Sequence, residues 1–190
     1  MSELAGFFTL GFHHIANPAA LDHLLFLLAL AAIYSWGNWR KLLWVVTAFT
    51  VGHSLTLALA VTGALTLPAA LIEFLIPVTI VVTGAENLLV RDRQTAPLGG
   101  RYRPVLAGGF GLVHGAGFAN YLKSLFTGSI AVPLLGFNLG IELGQVIVLA
   151  AAGIALAGVD RVLGHRLRVV TVSAAVLVVA LRMAAERAPW

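Results

Sequence analysis

Six apolar runs, separated by short polar or basic stretches, organise the chain. They cover about 19–36, 42–63, 68–89, 104–123, 132–157 and 169–186. Each approaches the roughly 20 residues that a helix needs to cross the hydrocarbon core of a bilayer. Residues 1–19 are too interrupted for a span, with Glu3, a Gly/Phe-rich piece, His13, His14, Asn17 and Pro18. That stretch reads as a short interfacial or re-entrant helix. Asn17-Pro18 reads as the start of the next helix, with Asn as N-cap and Pro at the first helical position. The pattern predicts an all-α integral membrane protein. Its form is a compact bundle of about six transmembrane helices in a single domain, 1–190.

Composition agrees with the pattern. Hydrophobic residues make up 59% and charged residues 11% of the chain, against about 45–50% and about 25% in a soluble domain. The mean hydropathy is +0.95. A formal charge of +4 and a pI near 10.1 would suit a nucleic-acid partner if the basic residues formed a patch. They lie instead between the apolar runs and are better read as topology determinants. Arg40, Lys41, Arg91, Arg93, Arg101, Arg103, Arg161, Arg166 and Arg168, nine of the twelve, fall in the loops after the first, third and fifth runs. The positive-inside rule then puts both termini outside the cytoplasm. Trp36, Trp39 and Trp44 suit the headgroup level, and Arg182 and Glu186 stand one helical turn apart as a pair near the membrane surface. No cysteine is present, which excludes disulfides and thiolate metal sites. No ATP-binding P-loop is found, and no cleavable signal peptide is expected.

Ionisable residues inside a membrane are costly and are functional candidates by default. Within the runs the chain carries Asp22, His23, His53, Ser54, Glu73, Glu86, Asn87, His114, Asn138, Glu142 and Gln145, with His13 and His14 just before the first. At about 1.5 Å of rise per residue, His53, His114 and Glu142 each lie roughly 15–16 Å along their helices, near the midplane. Asn138 and Gln145 share a helix face with Glu142. Imidazoles and carboxylates without thiolates suit Ni²⁺, Co²⁺, Zn²⁺ or Cu²⁺ rather than Cu(I). Gly111 and Gly115, and Gly136, Gly140 and Gly144, repeat at four-residue spacing. Such faces let membrane helices approach closely and could bring the polar groups of the fourth and fifth spans together.

Six stretches resemble the HupE/UreJ family of bacterial membrane proteins. They are Gly11-Phe12-His13-His14-Ile15, Leu21-Asp22-His23-Leu24-Leu25-Phe26-Leu27-Leu28, Thr47 to Leu57 with Gly52-His53-Ser54-Leu55-Thr56-Leu57, Glu86-Asn87-Leu88-Leu89, Phe110-Gly111-Leu112-Val113-His114-Gly115-Ala116-Gly117-Phe118-Ala119, and Gly136-Phe137-Asn138-Leu139-Gly140-Ile141-Glu142-Leu143-Gly144-Gln145. Their order is specific, and the resemblance covers roughly residues 10–150. It implies a multi-pass protein of the bacterial cytoplasmic membrane. It also implies a permease for nickel, with cobalt or copper as further cargo, linked to hydrogenase and urease supply. Carried over residue by residue, it assigns metal contact to His14, Asp22, His23, His53, His114 and Glu142.

Three function classes follow. In a transition-metal permease, His13, His14, Asp22 and His23 capture the ion, His53, His114 and Glu142 hold it near the midplane, and Asn138 and Gln145 orient them. Its partners are the lipid bilayer and the metal ion, with no nucleotide and no nucleic acid, and a homo-oligomer is compatible. A metal-dependent intramembrane hydrolase would instead use His/Asp-bound zinc, with Glu142 as general base. A haem-binding or structural subunit would use His53 and His114 as axial ligands.

Overall fold

The computed structural model describes residues 2–90, 100–125 and 130–190, and its long elements are all helices. In chain order they are α1 (Glu3–Ala16), α2 (Leu21–Ala32), α3 (Trp39–Val61), α4 (Ala69–Val90), α5 (Arg103–Ser124), α6 (Ala131–Leu163) and α7 (His165–Glu186). A 3₁₀ turn, Trp36–Asn38, leads into α3. Arg91, Arg93 and the Trp36 side chain lie outside the described parts. Among the described residues four helices, α3, α4, α6 and α7, are long and apolar enough to cross a membrane, and α1 with α2 makes a fifth if the bent pair counts as one span. About six spans is thus approximate: α5 matches α4 in length, but its glycines, His114, Arg103 and Lys123 dilute its apolar character.

The chain between 1 and 36 differs most from expectation. Instead of one span over 19–36, α2 holds only 12 residues, about 18 Å, and meets α1 at a bend of 66°. Asn17 does not start α2. It closes α1, its N–H bonding the His13 carbonyl, and its side-chain oxygen accepts from the Ala19 N–H at 2.9 Å. Such a self-bonding Asn makes a turn, and Pro18, which disfavours helical geometry in the residue before it, ends α1 there. α2 begins three residues later, after Ala20.

Two glycine seams fix the bundle, and they are not the seam expected between the fourth and fifth spans. On α6, an added Cβ at Gly140 would stand 2.7 Å from the Phe12 amide nitrogen, one at Gly136 2.6 Å from the Leu4 carbonyl oxygen, and one at Gly144 3.1 Å from Ile15 Cβ. The pairing advances in step along both helices, so α1 runs parallel to α6. On α5, a Cβ at Gly111 would stand 2.9 Å from the His53 amide nitrogen and one at Gly115 2.9 Å from His53 Cα. Hence α3 and α5 are also parallel. Small residues are what permit this approach.

At the far end of α2, buried Arg168 ties down the segment that follows that helix. Its guanidinium donates to the Tyr34 carbonyl at 3.2 Å and pairs with Asp160 at 2.9 Å. It also contacts His165 Nδ1 at 2.7 Å. Arg182 and Glu186 form the exposed pair expected of them. Trp39 and Trp44 are exposed, as interface anchors would be.

Candidate metal centre

The helix break brings His14 and His23 together, edge to face. His14 sits in the last turn of α1, and Asp22 and His23 in the first turn of α2. The α3–α5 seam delivers His53 and His114 beside them. His14, His23 and His53 each offer a ring nitrogen, and these nitrogens lie within 4.8 Å of one another. Ring centroids are 4.5 Å apart for His14–His23, 6.0 Å for His14–His53 and 6.4 Å for His23–His53. His114 is the next imidazole, 5.3 Å from His23. Phe118 and Phe137, stacked at 5.2 Å, wall the His14 side. Phe26 and Phe49 enclose His114.

Hydrogen bonds bear on the tautomers of two of these rings, His23 and His114. His23 Nδ1 lies 3.1 Å from Asp22 Oδ1, so it carries the proton and donates it to the carboxylate. Nε2 is then the nitrogen with a lone pair. Thr79 Oγ1 donates its single proton to the Ile76 carbonyl at 2.7 Å. With its proton on that carbonyl it accepts from His114 Nε2, at 2.9 Å, and this arrangement puts the His114 lone pair on Nδ1. His14 Nε2, His23 Nε2, both nitrogens of His53 and His114 Nδ1 are buried without a hydrogen-bond partner. Buried polar atoms cost roughly 1–3 kcal/mol each when unpaired; a neutral imidazole keeps one lone pair, so four such rings with ring nitrogens unpartnered among the described residues fit a cation. The geometry of the break adds to that fit. The C-terminal, electronegative end of α1 points at the cluster, and Asp22 offsets the positive start of α2. Arg187 reaches Asp22 Oδ2 at 3.5 Å from the end of α7.

The remaining residues singled out in the sequence stand elsewhere. His13 is exposed and leans edge-on against Phe12. Glu142 is exposed on α6 and is not among the grouped donors. Gln145 is buried and accepts from Thr50 Oγ1 at 2.8 Å, and Asn138 lies 2.7 Å from Ser54 Oγ. Both amides therefore tie α6 to α3. Sequence reasoning missed Thr79 and the enclosing Phe118 and Phe137. Thr79 could have been found, since it stands four residues before Thr83 and eight before Asn87, one polar position per turn in an apolar helix. The phenylalanines carry no signal of their own among so many apolar residues.

A family model described as HupE / UreJ protein matches residues 1–187. No curated protein and no solved structure matches the chain.

Proposed function

The chain belongs to the HupE/UreJ family, and from that premise we propose that it is a divalent transition-metal permease. Nickel or cobalt is its cargo, and His14, His23 and His53 form the central binding site. The chain is a multi-pass membrane protein of a family linked to metal transport. The observation that carries the proposal is the set of three imidazoles at the α1–α2 break, whose free nitrogens converge within 4.8 Å. Discontinuous membrane helices are a recurrent way to build transport sites, because helix ends and unwound backbone meet the ion at depth. Neutral imidazoles suit Ni²⁺, Co²⁺, Zn²⁺ and Cu²⁺. Asp22 holds His23 in the ligating tautomer, and His114 receives the ion next. Both termini face the extracytoplasmic side of the bacterial inner membrane, and His13 stands at the entry.

Transport is favoured over hydrolysis because Glu142, the base that hydrolysis would call on, is exposed on α6. A haem between His53 and His114 is disfavoured by packing: the Phe49 ring lies 6.1 Å from one and 5.1 Å from the other. Calorimetry with Ni²⁺ and Co²⁺ on the purified protein, together with metal uptake by cells, tests the proposal. Binding of one ion per chain, lost with uptake in His53→Ala, is the expected result. Binding and uptake that survive in His53→Ala would overturn it.

A further inference from the structure

The imidazole cluster accounts for one end of α4 but not for the polar residues that continue beyond it. Thr79, Thr83 and Asn87 stand at successive four-residue steps and are all buried. Thr79 touches His114, and Asn87 lies about 12 Å further along the helix. Beside Thr83, Gly84 packs against α7 at Ser173. The Ser173 hydroxyl is fully buried and has no hydrogen-bond partner among the described residues. Thr83 Oγ1 donates to the Thr79 carbonyl at 2.8 Å, and buried hydroxyl and amide groups thus run along one face of α4 away from the site.

That line ends at a charge. Arg103, at the start of α5, is 3% exposed. Its Nε donates to Glu86 Oε1 at 3.1 Å and its Nη2 to Asn87 Oδ1 at 2.7 Å and to Glu86 Oε2. Tyr102 donates to the same carboxylate. The Asn87 amide in turn donates to the Ala29 carbonyl of α2 at 2.7 Å, and the guanidinium lies 5.7 Å from the centre of the Tyr34 ring. One side chain therefore joins α2, α4 and α5 where the polar line reaches the α4–α5 loop. A fixed guanidinium on a cation's path is an electrostatic barrier. It is also a releasable one, because its partners are side chains at helix ends rather than core backbone. A purely structural role explains the buried ion pair but not the polar stripe that leads to it from His114.

We propose that Arg103, clamped by Glu86 and Asn87, is the gate at the α4–α5 loop end of a metal pathway lined by Thr79, Thr83 and Asn87. The proposal rests on the permease reading and adds its exit, which positive-inside topology puts on the cytoplasmic side. Closed, the guanidinium repels the ion; when it swings away from Glu86, the stripe opens to water.

The absence of native cysteine allows a test that does not depend on transport. Thr83→Cys is introduced into the full-length protein in liposomes, and its reaction with a membrane-impermeant cationic thiol reagent is timed, with and without Arg103→Gln. Glu86→Gln serves as a second way to release the clamp. Labelling at least tenfold faster in either released variant, with Ni²⁺ affinity at the imidazole cluster unchanged, is the expected result. Unchanged labelling in folded variants would overturn the gate. So would the loss of folding in both, which would assign the clamp a structural role alone. Either failure leaves the metal-binding reading standing. Failure of the wild-type protein to bind Ni²⁺ or Co²⁺ would sink that reading whatever the labelling shows.

Discussion

Gly115→Ala places one methyl group where two backbones touch, and its cost can be worked from the geometry. An added Cβ would stand 2.9 Å from His53 Cα and 2.9 Å from the His53 carbonyl carbon, with the carbonyl oxygen nearer still. Non-bonded carbons prefer about 3.5–4.0 Å, so α3 and α5 must part locally by about 1 Å. Both sides of the contact are helical backbone, and no rotamer change can absorb the insertion. Overpacking of this kind costs about 1–3 kcal/mol. The displacement falls between His53 and His114, the latter adjacent to Gly115, whereas a preorganised site tolerates only about 0.5 Å. Thermal unfolding in detergent, followed by tryptophan fluorescence, and Ni²⁺ calorimetry read the two consequences. The substitution is expected to lower Tm and to weaken metal binding at least about tenfold, or 1.4 kcal/mol. Gly109→Ala is the control, since its Cβ would meet nothing within 4 Å, and it should leave both readouts at the wild-type value. If Gly115→Ala matched wild type in stability and affinity, the seam would not be what positions the imidazoles.

Other substitutions separate the roles around the cluster. Asp22→Asn keeps the shape but weakens the bond to His23 Nδ1; calorimetry should show a loss of about 10–100-fold in metal affinity with unchanged helix content. Glu142→Gln, away from the grouped donors, should bind Ni²⁺ within about twofold of wild type, below the 1.4 kcal/mol of a tenfold change; a larger loss would restore the carboxylate to the ligand set. Gln145→Leu breaks the tie to Thr50 and should lower stability by about 0.6–1.7 kcal/mol in reversible unfolding while leaving metal affinity intact.

Apolar run length located most helices, because lengths near 20 residues and flanking basic clusters answer directly to the bilayer. It marked a short interfacial or re-entrant helix over 1–19, where α1 stands, but read 19–36 as one full span, where α2 holds 12 residues. There a single Pro and a self-bonding Asn divide the apolar stretch, and run length alone cannot register a 66° bend. The helical positions of His14, His23, His53 and His114 were readable, as was the small-residue character of the seams. Which helices those seams join was not. Gly115 reads the same whether it meets α3 or α6, and only the tertiary arrangement chooses. The same limit applies to Glu142. Equal depth on a separate helix made it a candidate, but its direction around α6 depends on which face α1 and α3 cover. Glu86 and Asn87 stood among the polar residues of the third run, and Arg103, counted among loop charges, makes that helix end a buried clamp.

The central claim is that the α1–α2 break and α3 present one metal ion with three imidazoles. Anomalous diffraction at the nickel edge, from crystals of the intact protein grown with Ni²⁺, tests it most directly. The account predicts a single dominant peak between His14, His23 and His53, about 2.0–2.1 Å from one nitrogen of each, as imidazole–metal bonds generally measure. A dominant peak at Glu142, at His165 or elsewhere, with the three rings unliganded, would contradict it.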